Sequence, residues 1–426
     1  MNSKVVNNAK WIVACKLIQS LLRLVIGTIS ARYLGPSYYG LINYAASIVA
    51  FFIPIMELGL RSTLVQEFID APEKEGEIIG TSLVMNLISA FACMISTSLF
   101  VLVVNHGETI TLIVCLLYST TLIFQAIEMI QYWFQYKLLS KYPSLVMLGS
   151  YVIVSAYKIY LLVTAKNVYW FVLSHSLDYC IIGVSLVIIY KVIQKQKLSF
   201  SFDMAKKMFL RSKYYIVSSL MVTIFANTDH VMLKLFVGDS ENGFYTAAVT
   251  CASMANFVFA AVIDSARPVI LSSKKTDKGR FEESVSKLYS IIFYMGLAES
   301  LVFTVFAELI IMILYGQDYM ATTSVLRIVV WYVSFSYMGT VRNIWILAEG
   351  KQSIIWIINL SGVIMNIVLN FAMIPLWGAC GAALASVLTQ FFTNFIIGFI
   401  MKPIRENNSL LLKGLNPKLI LEFIKK

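Results

Sequence analysis

The chain has 426 residues, of which 59% are hydrophobic and only 13% are charged, and its formal net charge is +11. A soluble protein would carry about a quarter charged residues, so the composition excludes an ordinary soluble domain. Apolar runs of about 20 residues recur from end to end, and a helix of about that length crosses the bilayer core. The sequence therefore predicts an all-α membrane protein that crosses the bilayer many times.

Taken in chain order, the apolar runs predict twelve membrane-spanning helices, six on each side of a polar break near the middle of the chain. The predicted spans are 11–33, 39–60, 78–104, 109–130, 144–164, 168–190, 213–236, 243–265, 288–313, 322–346, 353–374 and 379–401. The predicted organisation is an N-terminal six-helix bundle (1–190), a cytoplasmic basic linker (191–212), a C-terminal six-helix bundle (213–401) and a cytoplasmic amphipathic tail (402–426).

The Lys and Arg residues are concentrated in alternate loops. With a cytoplasmic N-terminus, the inside segments carry 25 of the 34 Lys and Arg residues and the outside loops carry one, Lys166. Because cytoplasmic loops are enriched in these residues, both termini are predicted to be cytoplasmic. Orientation and contact with anionic membrane lipid explain the basic excess, so no nucleic-acid partner is predicted.

The two halves of the chain share a short repeat. YLGPSYYGLINYAASI, which begins at Tyr33, aligns with FVGDSENGFYTAAVTC, which begins at Phe236, and the alignment pairs Gly35 with Gly238. Both stretches connect the first and second predicted spans of a half. With six spans each, the halves have the same orientation and a pseudo-two-fold axis along the membrane normal.

Motifs that carry enzymatic chemistry are missing from the sequence. The chain has three histidines and contains no HExxH, Walker A or GxGxxG segment. Its six cysteines lie in or beside apolar spans without CxxC spacing, which is typical of small packing residues. The predicted outside loops are too short to hold a catalytic site. The sequence therefore predicts no enzyme, no catalytic residue, no metal and no cofactor.

A basic residue stands in the middle of the first predicted span. Lys16, Ser20, Arg23, Gly27 and Ser30 recur at helical spacing and share one face. An arginine at the centre of a membrane helix costs about 2.5–3.5 kcal/mol, so its side chain is expected to meet partners or water. The first span has no carboxylate of its own, so Arg23 cannot form an ion pair within its own helix.

Polar faces in the second and seventh spans extend the pattern. Together with the first span they predict a substrate-binding set: Arg23, Lys16, Lys234, His230, Asp229, Asn227 and Asn43. This set is net basic, which favours an anionic ligand. The alternative is that the small polar residues join membrane helices without binding a ligand.

A second set predicts ion coupling: Asp178, Lys158, His175 and Glu299. Lys158 and Asp178 lie at matching depths in neighbouring spans, so an ion pair between them is predicted. The pair would be structural or part of a proton or cation relay. Glu299 lies near mid-span without an obvious partner, and intramembrane carboxylates are candidate coupling sites.

Other charges lie near the ends of predicted spans, where a long side chain can reach the interface. Arg32, Arg61, Asp264, Arg342 and Glu349 are assigned to this group. Glu57 and Arg61, spaced by four residues, are predicted to form a local pair.

Five stretches in order along the chain carry a family resemblance. They are SARYLGPSYYGLINYAASIVAFFIPIMELGL (30–60), QYWFQYKLLSKY (131–142), TDHVMLKLFVGDSENGFYTAAV (228–249), ILYGQDYMATTSVLRIVVW (313–331) and NLSGVIMNIVLNFAMIPLWGACGAALASVLTQ (359–390). In order and spacing they closely resemble bacterial polysaccharide repeat-unit flippases of the Wzx type. Those proteins belong to the multidrug/oligosaccharidyl-lipid/polysaccharide exporter (MOP) superfamily.

The resemblance implies two facing six-helix bundles, a central cavity and alternating access. The implied cargo is an undecaprenyl-diphosphate-linked oligosaccharide of O-antigen or capsule, moved to the outer leaflet of the bacterial cytoplasmic membrane. The polysaccharide polymerase machinery is an implied partner. The family's cationic cavity residues carry over onto Arg23 and, less closely, onto Lys16 and Lys234. Lys234 departs from the small residue of many relatives, and His230 departs from the commoner glutamine.

The charge pattern agrees with such a cargo, because a bare diphosphate could not cross hydrocarbon and arginine can bind phosphate bidentately. Without an ATPase motif, an H⁺ or Na⁺ gradient or the substrate gradient would drive transport. One alternative is a multidrug or other cation antiporter, which would favour a carboxylate-lined cavity. A second is a major-facilitator transporter, but the G-x3-D-R-x-G-R-R loop of that family is missing from the sequence. A third is a non-transporting structural partner of the assembly machinery, which would not require Arg23.

Overall fold

The computed structural model of the protein describes residues 3–194 and 196–417, apart from the side chains of 3–14, 16–17 and 275–276. Within these ranges every regular element is helical. The helices of the first half are α1 (Ser3–Met56), α2 (Leu64–Asp70), α3 (Glu75–Val104), α4 (Thr109–Ser119), α5 (Thr121–Glu128), α6 (Gln131–Tyr136), α7 (Lys141–Val163), α8 (Val168–Ile193) and α9 (Phe202–Val237).

The second half continues with α10 (Asp239–Ala252), α11 (Asn256–Thr276), α12 (Lys278–Val305), α13 (Ala307–Leu314), α14 (Thr322–Ala348), α15 (Ile355–Phe391), α16 (Ile397–Ile400) and α17 (Arg405–Gly414). A short π-helix, Phe392–Ile396, separates α15 from α16.

Helices of spanning length account for most of the described chain. Nine helical segments in the described ranges are long and apolar enough to cross a membrane, or ten if the bent pair Asp239–Ala252 and Asn256–Lys274 forms one span. Two of these segments, Ile18–Met56 and Gln352–Ile400, each cover two of the predicted spans. The all-α membrane class is confirmed, and the helices are consistent with twelve spans.

Glycines break the chain where consecutive spans meet. Gly35 has φ +71° inside α1, and Gly238 has φ +102° between α9 and α10. Gly378 has φ +54° inside α15, next to Ala379, whose N–H donates to Glu241 Oε2 at 2.7 Å. Residues other than glycine rarely adopt such positive φ values, because their Cβ atom clashes with the backbone, and this explains why glycine occupies these three positions. The repeat-paired Gly35 and Gly238 thus make equivalent breaks in the two halves.

The chain forms two compact units, Met1–Asn227 and Thr228–Lys426, and the boundary falls inside α9. α9 begins at Phe202, well before the predicted start of its span at 213.

The stretch that precedes α9 packs along α3 in the first unit. The N–H of Gly76 donates to Gln196 Oε1 at 2.9 Å, and the N–H of Ser201 donates to Thr81 Oγ1 at 3.1 Å. A Cβ at Gly76 or Gly80 would collide with a backbone carbonyl of this stretch. The described part of the predicted linker is therefore held against the first unit.

Ion pairs join α2 to the beginning of α9. Glu67 is fully buried, and its carboxylate pairs with Arg211 at 2.8 Å and with Lys207 at 3.3 Å. Arg211 also donates to Asp70 at 2.7 Å. This hydrogen bond, with a second from Gln66, lowers the pKa of Asp70. The charged linker residues thus have specific partners in the first unit.

Glu75, at the beginning of α3, joins three elements. Its carboxylate accepts hydrogen bonds from Trp133 Nε1 at 2.7 Å, from Lys137 Nζ at 2.5 Å and from Gln194 Nε2 at 2.5 Å. Both Glu75 and Trp133 are buried. A buried carboxylate surrounded by donors connects α3, α6 and the end of α8.

We expect Glu75→Ala to lower the free energy of unfolding by about 2 kcal/mol, because it leaves the buried indole N–H without an acceptor. The measurement is the thermal unfolding midpoint of the purified protein in detergent. Glu77→Ala is the matched control, since among the described residues Glu77 pairs only with the exposed Lys74, at 3.8 Å, and such pairs contribute less than about 1 kcal/mol. Equal midpoints for the two variants would contradict the expectation.

The beginning of the predicted amphipathic tail is built into the second unit. In α17 the side chains of Asn407, Leu410 and Leu411 are buried, and Tyr289 of α12 donates to Asn407 Oδ1 at 3.0 Å. The apolar face of α17 therefore packs against protein. The end of the tail, 418–426, lies outside the described residues.

Candidate functional site

Arg23 of α1 lies on an exposed face of the first unit. Its guanidinium carbon lies 5.7 Å from the centre of the Tyr151 ring of α7, within the range of a cation–π interaction. Arg23 forms no ion pair with any side chain that the structure describes. The mid-span cation thus lies beside an aromatic ring with no described carboxylate in contact with it, which makes it a candidate for binding an anion.

The structure brings Arg23 together with three of the predicted ion-coupling residues. Lys158, His175 and Asp178 all lie within electrostatic range of Arg23. The His175 ring lies 5.2 Å from that of Tyr118. One residue of the predicted substrate-binding set, Arg23, and three residues of the predicted ion-coupling set therefore lie near one another in the first unit.

The predicted ion pair between Lys158 and Asp178 is wrong. Asp178 Oδ1 instead accepts a hydrogen bond from Ser150 Oγ at 2.6 Å, and the same hydroxyl also reaches the Asp178 carbonyl at 3.0 Å. Ser150 lies on α7 two turns before Lys158, at the depth where α7 meets Asp178. Lys158 lies within electrostatic range of Asp178, as their matching depths predict, but the two side chains are not in contact.

Sequence reasoning missed Glu128, at the end of α5. Its Oε1 accepts from Gln131 Nε2 at 3.1 Å, and the carboxylate interacts electrostatically with Asp178 and Glu57. Glu57 pairs with Arg61 at 3.8 Å, which confirms the predicted local pair. An acidic residue near the end of an apolar run was the signal that could have identified Glu128.

Asp229 lies at the centre of a buried network in the second unit. Asn370 Nδ2 donates to its Oδ1 at 2.5 Å, while Tyr245 OH donates to its Oδ2 at 2.6 Å and Ser386 Oγ donates to the same oxygen. Donors from α10 and from both parts of α15 thus converge on one carboxylate. Asn370 and Ser386 lie within the apolar stretch 359–390, where sequence reasoning did not single them out.

The neighbours of Asp229 on α9 also have close partners. Lys234 is only 8% exposed, and its Nζ lies 2.7 Å from Asp239 Oδ2. His230 Nδ1 lies 2.8 Å from Asn242 Oδ1. The charge count from the sequence omitted Asp239, which neutralises the charge of Lys234. Arg23 is therefore the stronger candidate for binding an anion.

The predicted amides bond within their own helices. Asn43 Nδ2 donates to the Tyr39 carbonyl at 2.8 Å, and Asn227 Nδ2 donates to the Thr223 carbonyl at 2.9 Å. Lys16, the other predicted cation of the first span, lies outside the residues whose side chains the structure describes.

Arg342 does not reach the interface, contrary to the prediction. The residue is 5% exposed, and its guanidinium donates to the backbone carbonyl of Thr393 at 2.5 Å. Thr393 belongs to the π-helix, where the regular helical hydrogen-bond ladder is interrupted and carbonyls become available to side chains. The position of Arg342 near a span end therefore did not indicate that its buried side chain bonds to the irregular π-helix.

Glu299, in α12, has both carboxylate oxygens buried without a hydrogen-bond partner among the described residues. An ionised carboxylate in such a place is costly unless a proton or cation neutralises it. No group of three or more His, Cys, Asp or Glu residues in the described ranges could hold a metal ion.

Comparison with known proteins places this arrangement in a family. The model of a family described as "Polysaccharide biosynthesis protein" matches residues 5–274. The capsular polysaccharide biosynthesis protein CapF of Staphylococcus aureus is 22% identical over 402 residues, which cover 91% of this chain and 96% of CapF.

Two solved structures share the fold at low sequence identity. The lipid II flippase MurJ, in an inward closed conformation, has a TM-score of 0.76 at 15% identity, covering 97% of this chain and 92% of MurJ. An inward-facing multidrug resistance MATE family transporter of the MOP superfamily has a TM-score of 0.69 at 15% identity, covering 93% and 96%.

These matches confirm the resemblance to polysaccharide biosynthesis proteins, and the two solved structures show that the chain shares their fold. With its many apolar helices, the protein is a multi-pass membrane protein. Because the family model covers more than half of the sequence, the chain belongs to the family of polysaccharide biosynthesis proteins.

Proposed function

We propose that the protein is a flippase that moves undecaprenyl-diphosphate-linked oligosaccharide repeat units from the inner to the outer leaflet of the bacterial cytoplasmic membrane. Transport proceeds by alternating access through a basic cavity, with both termini in the cytoplasm. The protein itself carries out no covalent chemistry. The oligosaccharide products serve the polysaccharide polymerase machinery.

The observation that carries this proposal is Arg23, a mid-span arginine that is exposed and has no ion-pair partner among the described residues. A diphosphate is the part of the cargo that hydrocarbon excludes most strongly, and a guanidinium binds it with charge-assisted hydrogen bonds. The family and the similarity to CapF support a polysaccharide precursor as cargo. A cationic drug would be repelled by Arg23, which argues against the multidrug alternative.

An H⁺ or Na⁺ gradient supplies the drive in this proposal, and carboxylates are the groups that would sense it. Asp178 lies in electrostatic range of Arg23, so its charge would alter anion binding there. Glu299 has no donor of its own among the described residues, so binding of a proton or cation would relieve the cost of its burial.

Reconstituted flipping tests the proposal. Proteoliposomes that contain the lipid-linked oligosaccharide should expose it to an added glycosidase faster than protein-free liposomes do. An imposed H⁺ or Na⁺ gradient should accelerate exposure, and Asp178→Asn should reduce this acceleration. Exposure at the protein-free rate would refute the flippase function. A rate independent of both gradients would remove the coupling roles of Asp178 and Glu299.

A further inference from the structure

A pocket lies in the first unit, close to a break in one helix and to the ends of three others. It has a volume of about 380 Å³, and its lining combines apolar side chains with three tyrosines (Tyr33, Tyr38 and Tyr169), Lys166 and Asn167. The lining comes from the Gly35 break in α1, the beginning of α4 and the turn from α7 to α8. All of these segments fall at predicted outside loops, which places the pocket at the outer face in the proposed orientation.

The turn that presents Lys166 has a well-defined backbone. The N–H of Lys166 donates to the Leu161 carbonyl at 3.0 Å, and the N–H of Ala165 donates to the Leu162 carbonyl at 3.3 Å. This pattern is a Schellman motif, in which glycine normally takes the left-handed position. Here Ala165 takes that position with φ +50°. The strained turn holds Lys166 and Asn167 at the rim of the pocket.

The ring of Tyr33 is also pre-arranged. Tyr33 stacks on Phe171 with ring centres 5.6 Å apart, and its hydroxyl donates to the Lys166 carbonyl at 3.1 Å. Tyr38 is 44% exposed, so much of its ring is available to a ligand. Pre-arranged aromatic rings lose little conformational entropy when they bind a ligand.

The chemistry of the lining matches a sugar ring. Such a ring has an apolar face of C–H groups surrounded by hydroxyls, and tyrosine combines an apolar face with a hydroxyl that donates and accepts. The Asn167 amide supplies further donors and an acceptor. Lys166 is the one Lys or Arg in the predicted outside loops and forms no ion pair with a described side chain. Its ammonium can bond to an anionic or hydroxyl group of the same ligand.

The geometry points to a glycan-binding site at the outer face, which receives the sugar part of the lipid-linked oligosaccharide after translocation. The identity of the glycan rests on the proposed function, whereas the site itself rests on the pocket. Binding here would hold the sugar part of the cargo at the outer face while the diphosphate dissociates from Arg23.

Equilibrium binding in nanodiscs tests this site without requiring transport. The probe is the repeat-unit oligosaccharide freed of lipid and phosphate by mild acid, titrated by calorimetry into the full-length protein. We expect binding, with a Kd about tenfold higher in Tyr38→Ala and in Lys166→Ala. Tyr142→Ala is the matched control, because Tyr142 is 39% exposed and does not line the pocket; its Kd should equal that of the wild type.

Several results would overturn the site. The first is that the oligosaccharide does not bind, and the second is that Tyr38→Ala and Tyr142→Ala bind it equally well. The third is that the protein binds inorganic pyrophosphate in a Lys166-dependent way but does not bind the sugar. Competition by phosphatidylglycerol nanodiscs alone would instead identify a lipid head-group site. Glycan binding without flipping in proteoliposomes would refute the proposed function and leave the site intact, and flipping without glycan binding would do the reverse.

Discussion

Arg23→Ala should reduce the initial rate of flipping by about 100-fold, since charge-assisted hydrogen bonds of a guanidinium to phosphate are worth about 3 kcal/mol. Complementation of a flippase-deficient strain should fail accordingly. Membrane abundance should stay normal, because Arg23 is exposed and forms no ion pair with a described side chain. Arg23→Lys should be partly active, since an ammonium keeps the charge but cannot bind phosphate bidentately.

Arg32→Ala provides the matched control for this experiment. Arg32 is an exposed arginine on the same helix, near the end of its predicted span, where it was assigned to the interface. The control should complement nearly as well as the wild type. Full activity of Arg23→Ala would refute the proposed anion site, and equal losses in both variants would show that the effect is not specific to Arg23.

Asp229→Ala should lower the free energy of unfolding by about 3 kcal/mol. The change removes the acceptor for buried donors on Asn370, Tyr245 and Ser386. Each buried donor left without an acceptor costs about 1–3 kcal/mol, although partial rearrangement would recover some of this cost. The loss should appear as a lower thermal unfolding midpoint in detergent.

Asp264→Ala is the matched control for Asp229→Ala, because Asp264 is an exposed aspartate in the second unit. Its effect should stay within about 0.5 kcal/mol, as is usual for surface substitutions. Asp229→Asn should fall between the two, since the amide retains one acceptor oxygen. If Asp229→Ala and Asp264→Ala unfolded at the same temperature, the network would not stabilise the second unit.

The membrane class, the approximate positions of the helices and the glycine breaks were predictable from the sequence. Hydrophobicity, helical spacing and the need for positive φ are local properties, so they can be read from neighbouring residues. Arg23 could also be identified from the sequence as a candidate, because a mid-span arginine without a carboxylate on its own helix requires an explanation. The family resemblance, carried by motifs in order, was confirmed by the family match.

The partners of the charged groups could not be predicted in this way. Lys234 is balanced by Asp239, only five residues away but across the break at Gly238. Arg342 is buried against a carbonyl that only an irregular helix makes available.

Longer-range pairs show the same limit. Asp178 bonds to Ser150 instead of Lys158, and Asp229 binds Asn370, which is 141 residues away. Depth along a helix follows from the sequence, because each residue advances the helix by a constant rise. Which side chains meet across helices depends on how the helices rotate and pack, and this the tertiary structure alone decides.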